Sequence, residues 1–288
     1  MNQDSALTRT FEHARETWTL LVVADGLGGG VDGDIASDKT TRVMADDVSA
    51  EGWTDPESVL SRAVGRANQE IFDLGMGATL GPQRMVGTTV VAALIHQSTG
   101  RYWTLNVGDS RAYLYNGTAV RQITEDHSLV AERVRAGEIS AEEARVAKDR
   151  NVVTRAVGSE EILAFDIEER APLKPGEVIL LCSDGLHGML SDGEIAAVLR
   201  GERLEMLPPM LIRAANDAGG LDNIAVAVAG AVGGGGETTG AVREASTPAS
   251  KKHTPGTDEP RNAHGLLAVA GIALIAGTVA VVAVVLRV

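Results

Sequence analysis

The sequence predicts an α+β fold, namely an antiparallel β-sandwich flanked by helices on both faces, followed by a C-terminal transmembrane helix. In the middle of the chain, strand-like runs follow one another directly, which is typical of an antiparallel meander rather than of alternating crossover units. Amphipathic stretches elsewhere predict helices outside the sheets. The third observation is an apolar stretch without a charged side chain over residues 265–286.

Strands are predicted where apolar and β-branched residues cluster between turn residues. In chain order these runs are Thr17–Ala24, Val86–His96, Arg101–Val107, Arg111–Tyr115, Ala119–Ile123, Ala164–Arg170, Glu177–Cys182 and Asn223–Ala229. Helical periodicity predicts helices over Asp34–Val48, Pro56–Leu74, His127–Ala136, Ala141–Ala147, Asp192–Leu199 and Leu204–Ala218. The first ten residues are polar, and no element is predicted before Thr17.

Composition narrows the classes of function. The chain has 288 residues, of which 44% are hydrophobic and only 3% aromatic, so its core is built from aliphatic side chains. A net charge of −13 argues against nucleic acid as a partner, because phosphates need basic surfaces, and it suits a protein that gathers carboxylates for divalent cations. Cys182 is the single cysteine and therefore excludes an internal disulfide.

The C-terminal part of the sequence divides into a linker and an anchor. Residues 231–264 are rich in Gly, Ser, Thr and Pro and predict a flexible linker after one folded domain over residues 1–230. As a helix, residues 265–286 would be about 33 Å long, enough to cross a hydrocarbon core of about 30 Å. Lys251, Lys252 and Arg261 precede this stretch and only Arg287 follows it, which favours a single-pass cell-membrane anchor with the folded domain in the cytoplasm.

Four aspartates stand where an apolar strand meets a turn. Asp25 and Asp184 each end an apolar run and precede a glycine, Asp109 lies between two strands, and Asp222 comes just before the last predicted strand. If the strands share sheets, these side chains converge at one rim. Carboxylate and carbonyl oxygens are the ligands that Mg²⁺ and Mn²⁺ prefer, so the pattern predicts a site for hard divalent cations.

Ordered motifs spanning residues 2–229 make the sequence similar to a known family. They are NQDS at 2–5, ADGLGG at 24–29, GDIAS at 33–37, GTTVVAAL at 87–94, NVGDSRAYL at 106–114, TEDHSLV at 124–130, RNVVTRAVG at 150–158, LCSDGL at 181–186 and DNIAV at 222–226. In this order they resemble the metal-dependent protein phosphatases of type 2C, specifically the bacterial members. A single Asp-Gly pair is weak evidence, whereas the full ordered set is specific.

The resemblance implies a metal-ligand set. Asp25 would bridge two Mn²⁺ or Mg²⁺ ions, and the carbonyl of Gly26 would bind the second ion. Asp184 and Asp222 would hold the first ion. Asp109, together with Asp184, would form a third and weaker site.

The resemblance also implies a reaction and its partners. Asp4 would orient metal-bound water, so Asp4, Asp25 and Asp184 are the candidate catalytic residues. The expected reaction is hydrolysis of phosphoserine and phosphothreonine in proteins by a metal-bridged hydroxide, without a covalent phosphoenzyme. The expected partners are phosphorylated proteins, among them a serine/threonine kinase that this enzyme opposes, and the membrane through the C-terminal helix. Residues 127–149 resemble a helical flap, and His127 and His187 are interpreted as structural hydrogen-bonding residues.

Two features depart from the family pattern. Members usually carry a strand with a phosphate-binding arginine before the NQDS-like motif, and this sequence starts at Met1, one residue before it. Either the start is internal to a longer chain, or a sheet edge stands unpaired. At Gly30 the family usually has the histidine proposed as general acid. These departures leave an alternative open, a catalytically degenerate regulator or phosphoprotein-binding module.

Overall fold

The computed structural model describes residues 2–28, 31–76, 86–201, 203–231, 267–268 and 284–287. Within these ranges the strands are β1 Asp4–His13, β2 Glu16–Leu27, β3 Gly87–Thr88, β4 Val90–His96, β5 Tyr102–Val107, β6 Arg111–Tyr115, β7 Val120–Gln122, β8 Asp166–Arg170, β9 Val178–Cys182, β10 Ala225–Gly230, β11 Leu267–Ala268 and β12 Val284–Arg287. The α-helices are α1 Val31–Ser49, α2 Pro56–Met76, α3 Leu129–Arg135, α4 Ala141–Val146, α5 Asp184–His187, α6 Asp192–Leu199 and α7 Leu207–Asp217. A 3₁₀ turn at Leu204–Met206 leads into α7.

The strands form two antiparallel sheets. The first has the order β1-β2-β4-β5-β8, and the short β3 pairs with the end of β2. The second has the order β11-β12-β10-β9-β6-β7. The prediction of an α+β fold with antiparallel sheets is confirmed.

Side-chain alternation along the central strands builds three apolar layers. In β2, Leu21 and Val23 pack between the two sheets, whereas Leu20 and Val22 face the opposite way, toward helices α1 and α2. The second sheet repeats the pattern, because its inward side chains enter the layer between the sheets and the alternate ones pack with α6 and α7. Since both faces of these strands are buried, they read in the sequence as continuous apolar runs.

The N-terminal strand was not predicted. Residues Asp4–His13 form β1, which pairs antiparallel with β2 along its whole length, from Asp4 opposite Asp25 to His13 opposite Glu16. The segment is polar because it lies at the edge of its sheet, where most of its side chains are only partly buried. Thr8, Thr10 and Phe11 were its weak sequence signal, since residues of these types favour strands.

The predicted transmembrane helix at residues 265–286 lies mostly outside the described residues. In the two parts that the structure describes, the backbone is extended where a helix was predicted: Leu267–Ala268 and Val284–Arg287 are strands that pair with each other, and Val284–Arg287 also pairs with β10. Valine favours extended backbone, and β10 offers an edge for it to pair with. No helix in the described ranges is long and apolar enough to cross a bilayer. The predicted linker, apart from Ala231, also lies outside those ranges.

Candidate metal centre

The predicted aspartates come together because strand ends from both sheets meet at one rim. In the first sheet Asp4 begins β1 directly opposite Asp25 of β2. In the second sheet β9 ends at Cys182, which pairs with Val226 near the start of β10. This register places Asp184, just after β9, at the same end of the sheet as Asp222, just before β10.

Ser183 connects the two sheets at this rim. Its hydroxyl donates a hydrogen bond of 2.6 Å to Oδ2 of Asp4 and accepts one of 2.9 Å from the backbone N–H of Ala225. Ser183 is fully buried and Asp4 is 1% exposed. A single buried hydroxyl therefore fixes Asp4 of the first sheet relative to the strands that carry Asp184 and Asp222.

The backbone around Asp25 and Gly26 is held on both sides. The N–H of Asp25 donates to Oγ1 of Thr89 at 3.0 Å, and the N–H of Gly26 donates to the carbonyl of Gln3 at 3.1 Å. A Cβ atom at Gly26 would lie 2.1 Å from the carbonyl oxygen of Gly33, so only glycine fits this contact between β2 and the start of α1. Gly26, directly after Asp25 in the sequence, thus allows close backbone approach.

The carboxyl groups raise one another's pKa. Burial raises the pKa of Asp25 well above its ordinary value of 3.8, and the neighbouring charges of Asp4 and Asp184 raise it further. Burial, followed by the charges of Asp184 and Asp222, raises the pKa of Asp4 to about 7, although the bond from Ser183 opposes the shift. Burial and the charge of Asp222 also raise the pKa of Asp184. Asp25 lies close enough to Asp4 and Asp184 for the three carboxyl groups to disfavour one another's ionisation.

Asp109 approaches the same centre from the turn between β5 and β6. It is 8% exposed. Burial and the charges of Asp184 and Asp126 raise its pKa to about 7. The turn is tight, because Gly108 has a φ of +97° and a Cβ atom there would lie 2.6 Å from Cγ2 of Thr89.

Asp184 and Asp222 differ in their surroundings. Oδ1 of Asp184 is buried and has no hydrogen-bond partner. Asp222 is exposed, and its Oδ1 accepts a bond of 2.8 Å from the N–H of Asn223. Asn223 in turn accepts a bond of 2.8 Å from the N–H of Gln3, which links this loop to the residue before Asp4.

These residues fit divalent cations. Carboxylates with raised pKa values and an orphaned, buried carboxylate oxygen at Asp184 are the surroundings that a hard cation neutralises. In the described part of the chain, no three His, Cys, Asp or Glu side chains are grouped closely enough to hold one ion as they stand. An ion held by three of these carboxylates would need the exposed side chain of Asp222 to turn toward the centre.

Sequence reasoning missed the residues that hold the centre together. Gln3 contacts three parts of it. Its carbonyl accepts from the N–H of Gly26, and its own N–H donates to Oδ1 of Asn223. Its Nε2 donates to the carbonyl of Gly28 at 2.5 Å. Ser183 was also missed. Both lie inside quoted motifs, NQDS and LCSDGL, and that position was their only signal. Gly30 lies outside the described residues.

An acidic centre that fits divalent cations, at the rim of two sheets packed between helices, is an arrangement that suits metal-assisted hydrolysis. A family model described as protein phosphatase 2C matches residues 2–219. The chain belongs to the protein phosphatase 2C family, which uses divalent metals, and it is a protein phosphatase. The predictions of the family and of this enzyme class are confirmed.

Relatives and solved structures agree with this family. The serine/threonine phosphatase stp of Listeria innocua is 38% identical over 217 residues, covering 72% of this chain and 82% of that protein. A serine/threonine phosphatase structure from S. agalactiae is 32% identical with a TM-score of 0.70, covering 79% of this chain and 92% of that one. The catalytic domain of the phosphatase PstP in complex with two manganese ions is 30% identical with a TM-score of 0.64, covering 79% and 90%.

The raised pKa values predict a pH-dependent stability of the metal-free protein. Because the pKa values of Asp4 and Asp109 rise from 3.8 to about 7 on folding, the folded chain binds more protons than the unfolded chain between these values. The stabilisation is full below the unfolded pKa and is lost as pH rises through the folded pKa. In a chelator, the melting temperature should therefore fall between about pH 5.5 and about pH 8, and Mn²⁺ should restore it.

Asp109→Asn tests the origin of this dependence, since it removes one of the titrating groups. Its melting temperature in chelator should fall less over the same pH interval. A wild-type melting temperature that is flat or rises from about pH 5.5 to about pH 8 would contradict the assignment.

Proposed function

We propose that this protein hydrolyses phosphoserine and phosphothreonine in proteins with the help of Mn²⁺ or Mg²⁺. The observation that carries the proposal is the meeting of Asp4, Asp25, Asp109 and Asp184 at one rim, with raised pKa values and one orphaned carboxylate oxygen. The names of the relatives and the two manganese ions in one neighbouring structure support the substrate class and the cofactor.

The proposed ligand set keeps the roles implied by the sequence. Asp25 would serve two ions, the Gly26 carbonyl would bind the second, and Asp184 and Asp222 would hold the first. Asp109, with Asp184, would serve a third and weaker site. The close electrostatic coupling of Asp25 with Asp184 and of Asp184 with Asp222 supports the assignment of these residues to the first two ions.

In the proposed mechanism, the residues of the chain position and exchange protons. Bound divalent cations supply the Lewis acidity that activates water and neutralises charge on the phosphoryl group. Asp4, held by the hydrogen bond from Ser183, orients the attacking water and can hold its proton. Hydrogen bonds hold the backbone at Asp25 and Gly26 on both sides, so the centre needs little reorganisation during the reaction. Reorganisation of such a site would lower the rate.

A metal-dependence assay with the purified full chain tests this function. After removal of metal by a chelator, phosphate release from phosphoserine and phosphothreonine peptides should be absent, and Mn²⁺ or Mg²⁺ should restore it. A phosphotyrosine peptide is the matched substrate control and should be cleaved more slowly. A chain that binds Mn²⁺ and phosphopeptide but releases no phosphate would instead support the degenerate regulator.

We propose further that the catalytic domain covers residues 1–230, is followed by a linker over 231–264, and lies in the cytoplasm on a membrane anchor at 265–286. The support is the uncharged length of the last segment. A serine/threonine kinase and its substrates are the proposed partners. The full chain should stay in the membrane fraction through an alkaline wash, whereas a chain ending at Ala231 should be released. Release of the full chain by the wash would contradict the membrane anchor and would favour the pairing of Val284–Arg287 with β10.

A further inference from the structure

The Gly108–Asp109 turn is held by two histidines. The backbone N–H of His127 donates to the carbonyl of Gly108 at 2.9 Å, and the N–H of Gly108 donates to Nδ1 of His127 at 3.2 Å. Nε2 of His187 lies 3.0 Å from the carbonyl oxygen of Asp109 and donates to it. The carboxyl group of Asp109 therefore depends on these contacts for its position.

The hydrogen bonds of His127 fix its tautomer. Because Nδ1 accepts from Gly108, the ring proton is on Nε2, which donates to Oδ2 of Asp166 at 3.0 Å. Nη1 of Arg155 lies 3.2 Å from Nε2 of His127 and donates a hydrogen bond of 3.3 Å to Oδ1 of Asp166. His127 is 2% exposed, so its ring has little freedom to reorient.

The same histidine is tied to the segment that follows α4. The N–H of Thr154 donates to the carbonyl of His127 at 2.8 Å, and Ser128 forms an isolated bridge with Val153. Asp166, which accepts from the ring of His127, begins β8. His127 thus links the Asp109 turn to the chain that leaves the α3–α4 region.

We infer that His127 is a positioning residue which, through Gly108, sets the Asp109 carboxyl for the weaker cation site, with Asp166 holding the ring. This inference rests on the proposed function, because that function assigns Asp109 to a third site. Partners that orient a ligand-bearing group typically contribute 10–100-fold to metal affinity.

Two substitutions separate the two hydrogen bonds of the ring. In His127→Asn the side-chain oxygen can take the place of Nδ1 and accept from Gly108, whereas the bond to Asp166 is lost. In His127→Gln the amide nitrogen can take the place of Nε2 and reach Asp166, whereas the acceptor for Gly108 is lost. If positioning through Gly108 matters, His127→Gln should weaken Mn²⁺ binding at the weaker site by about 10–100-fold, and His127→Asn by much less.

The measurement is calorimetric titration of Mn²⁺ into the metal-free full chain, with thermal unfolding recorded for each variant. Asp109→Asn identifies the weaker phase of binding, because it should remove that phase and spare the tighter one. His13→Asn is the matched histidine control, since His13 stacks on Trp53 at the other end of β1. It should leave both phases unchanged.

The outcomes distinguish this inference from the proposed function. If Asp109→Asn leaves every phase intact, the third-site assignment in the proposed function fails. If Asp109→Asn removes the weak phase but His127→Gln keeps it, or both His127 variants weaken it equally, the positioning role is overturned. Should the His127 variants not fold, Asp166→Ala decides: at least about threefold weaker binding supports the role, and unchanged binding overturns it.

Discussion

Asp184→Asn should lower phosphatase turnover by about 10³-fold and at the same time raise the melting temperature of the metal-free protein. The loss of turnover is expected because Asp184 couples to both Asp25 and Asp222 and is a proposed ligand of the first ion. The gain in stability follows because its buried Oδ1 has no partner and its negative charge raises the pKa values of its neighbours. An amide of the same shape removes that repulsion.

Peptide dephosphorylation with Mn²⁺ and thermal unfolding in chelator measure the two effects of Asp184→Asn. Asp217→Asn is the matched control, because Asp217 is an exposed residue at the end of α7 whose side chain is 73% accessible. It should change neither quantity. Full turnover by Asp184→Asn would show that Asp184 is not a metal ligand.

Gly185→Ala should reduce turnover by at least about 10²-fold and destabilise the fold by about 1–3 kcal/mol. A Cβ atom at Gly185 would lie 1.9 Å from the carbonyl oxygen of Asn223 and 3.2 Å from Cγ1 of Ile224. The backbone oxygen cannot move aside without shifting the loop that carries Asp222. The added methyl group therefore separates Asp184 from Asp222 without removing either carboxylate.

Gly193→Ala is the matched control for this substitution. Gly193 lies in the first turn of α6, and a Cβ atom there would meet nothing nearer than Oγ of Ser191 at 4.0 Å. It should leave turnover unchanged and the stability equal or slightly higher. Mn²⁺ titration of Gly185→Ala should show weakened binding, and wild-type Mn²⁺ affinity in this variant would refute the close contact at Asn223.

Elements whose packing follows from local pattern could be predicted closely. β6 has the predicted bounds Arg111–Tyr115, and α6 has the predicted bounds Asp192–Leu199, where Ser191 and Glu194 form a capping box. The apolar face predicted for α2 is buried in the structure. β1 could not be predicted in this way, because a polar edge strand is defined by its partner β2 rather than by its own periodicity.

The sequence by itself determined the family and the α+β class, because the motifs keep a fixed order, and it singled out the aspartates as candidates from local patterns at strand ends. Only the tertiary structure decided how these aspartates are held. The bond from Ser183 to Asp4 joins residues 179 positions apart, and the bond from His127 to Asp166 joins residues 39 positions apart. Such contacts depend on strand register and sheet packing, which no local stretch of sequence encodes, so the supporting residues of the centre emerge only when both sheets are in place.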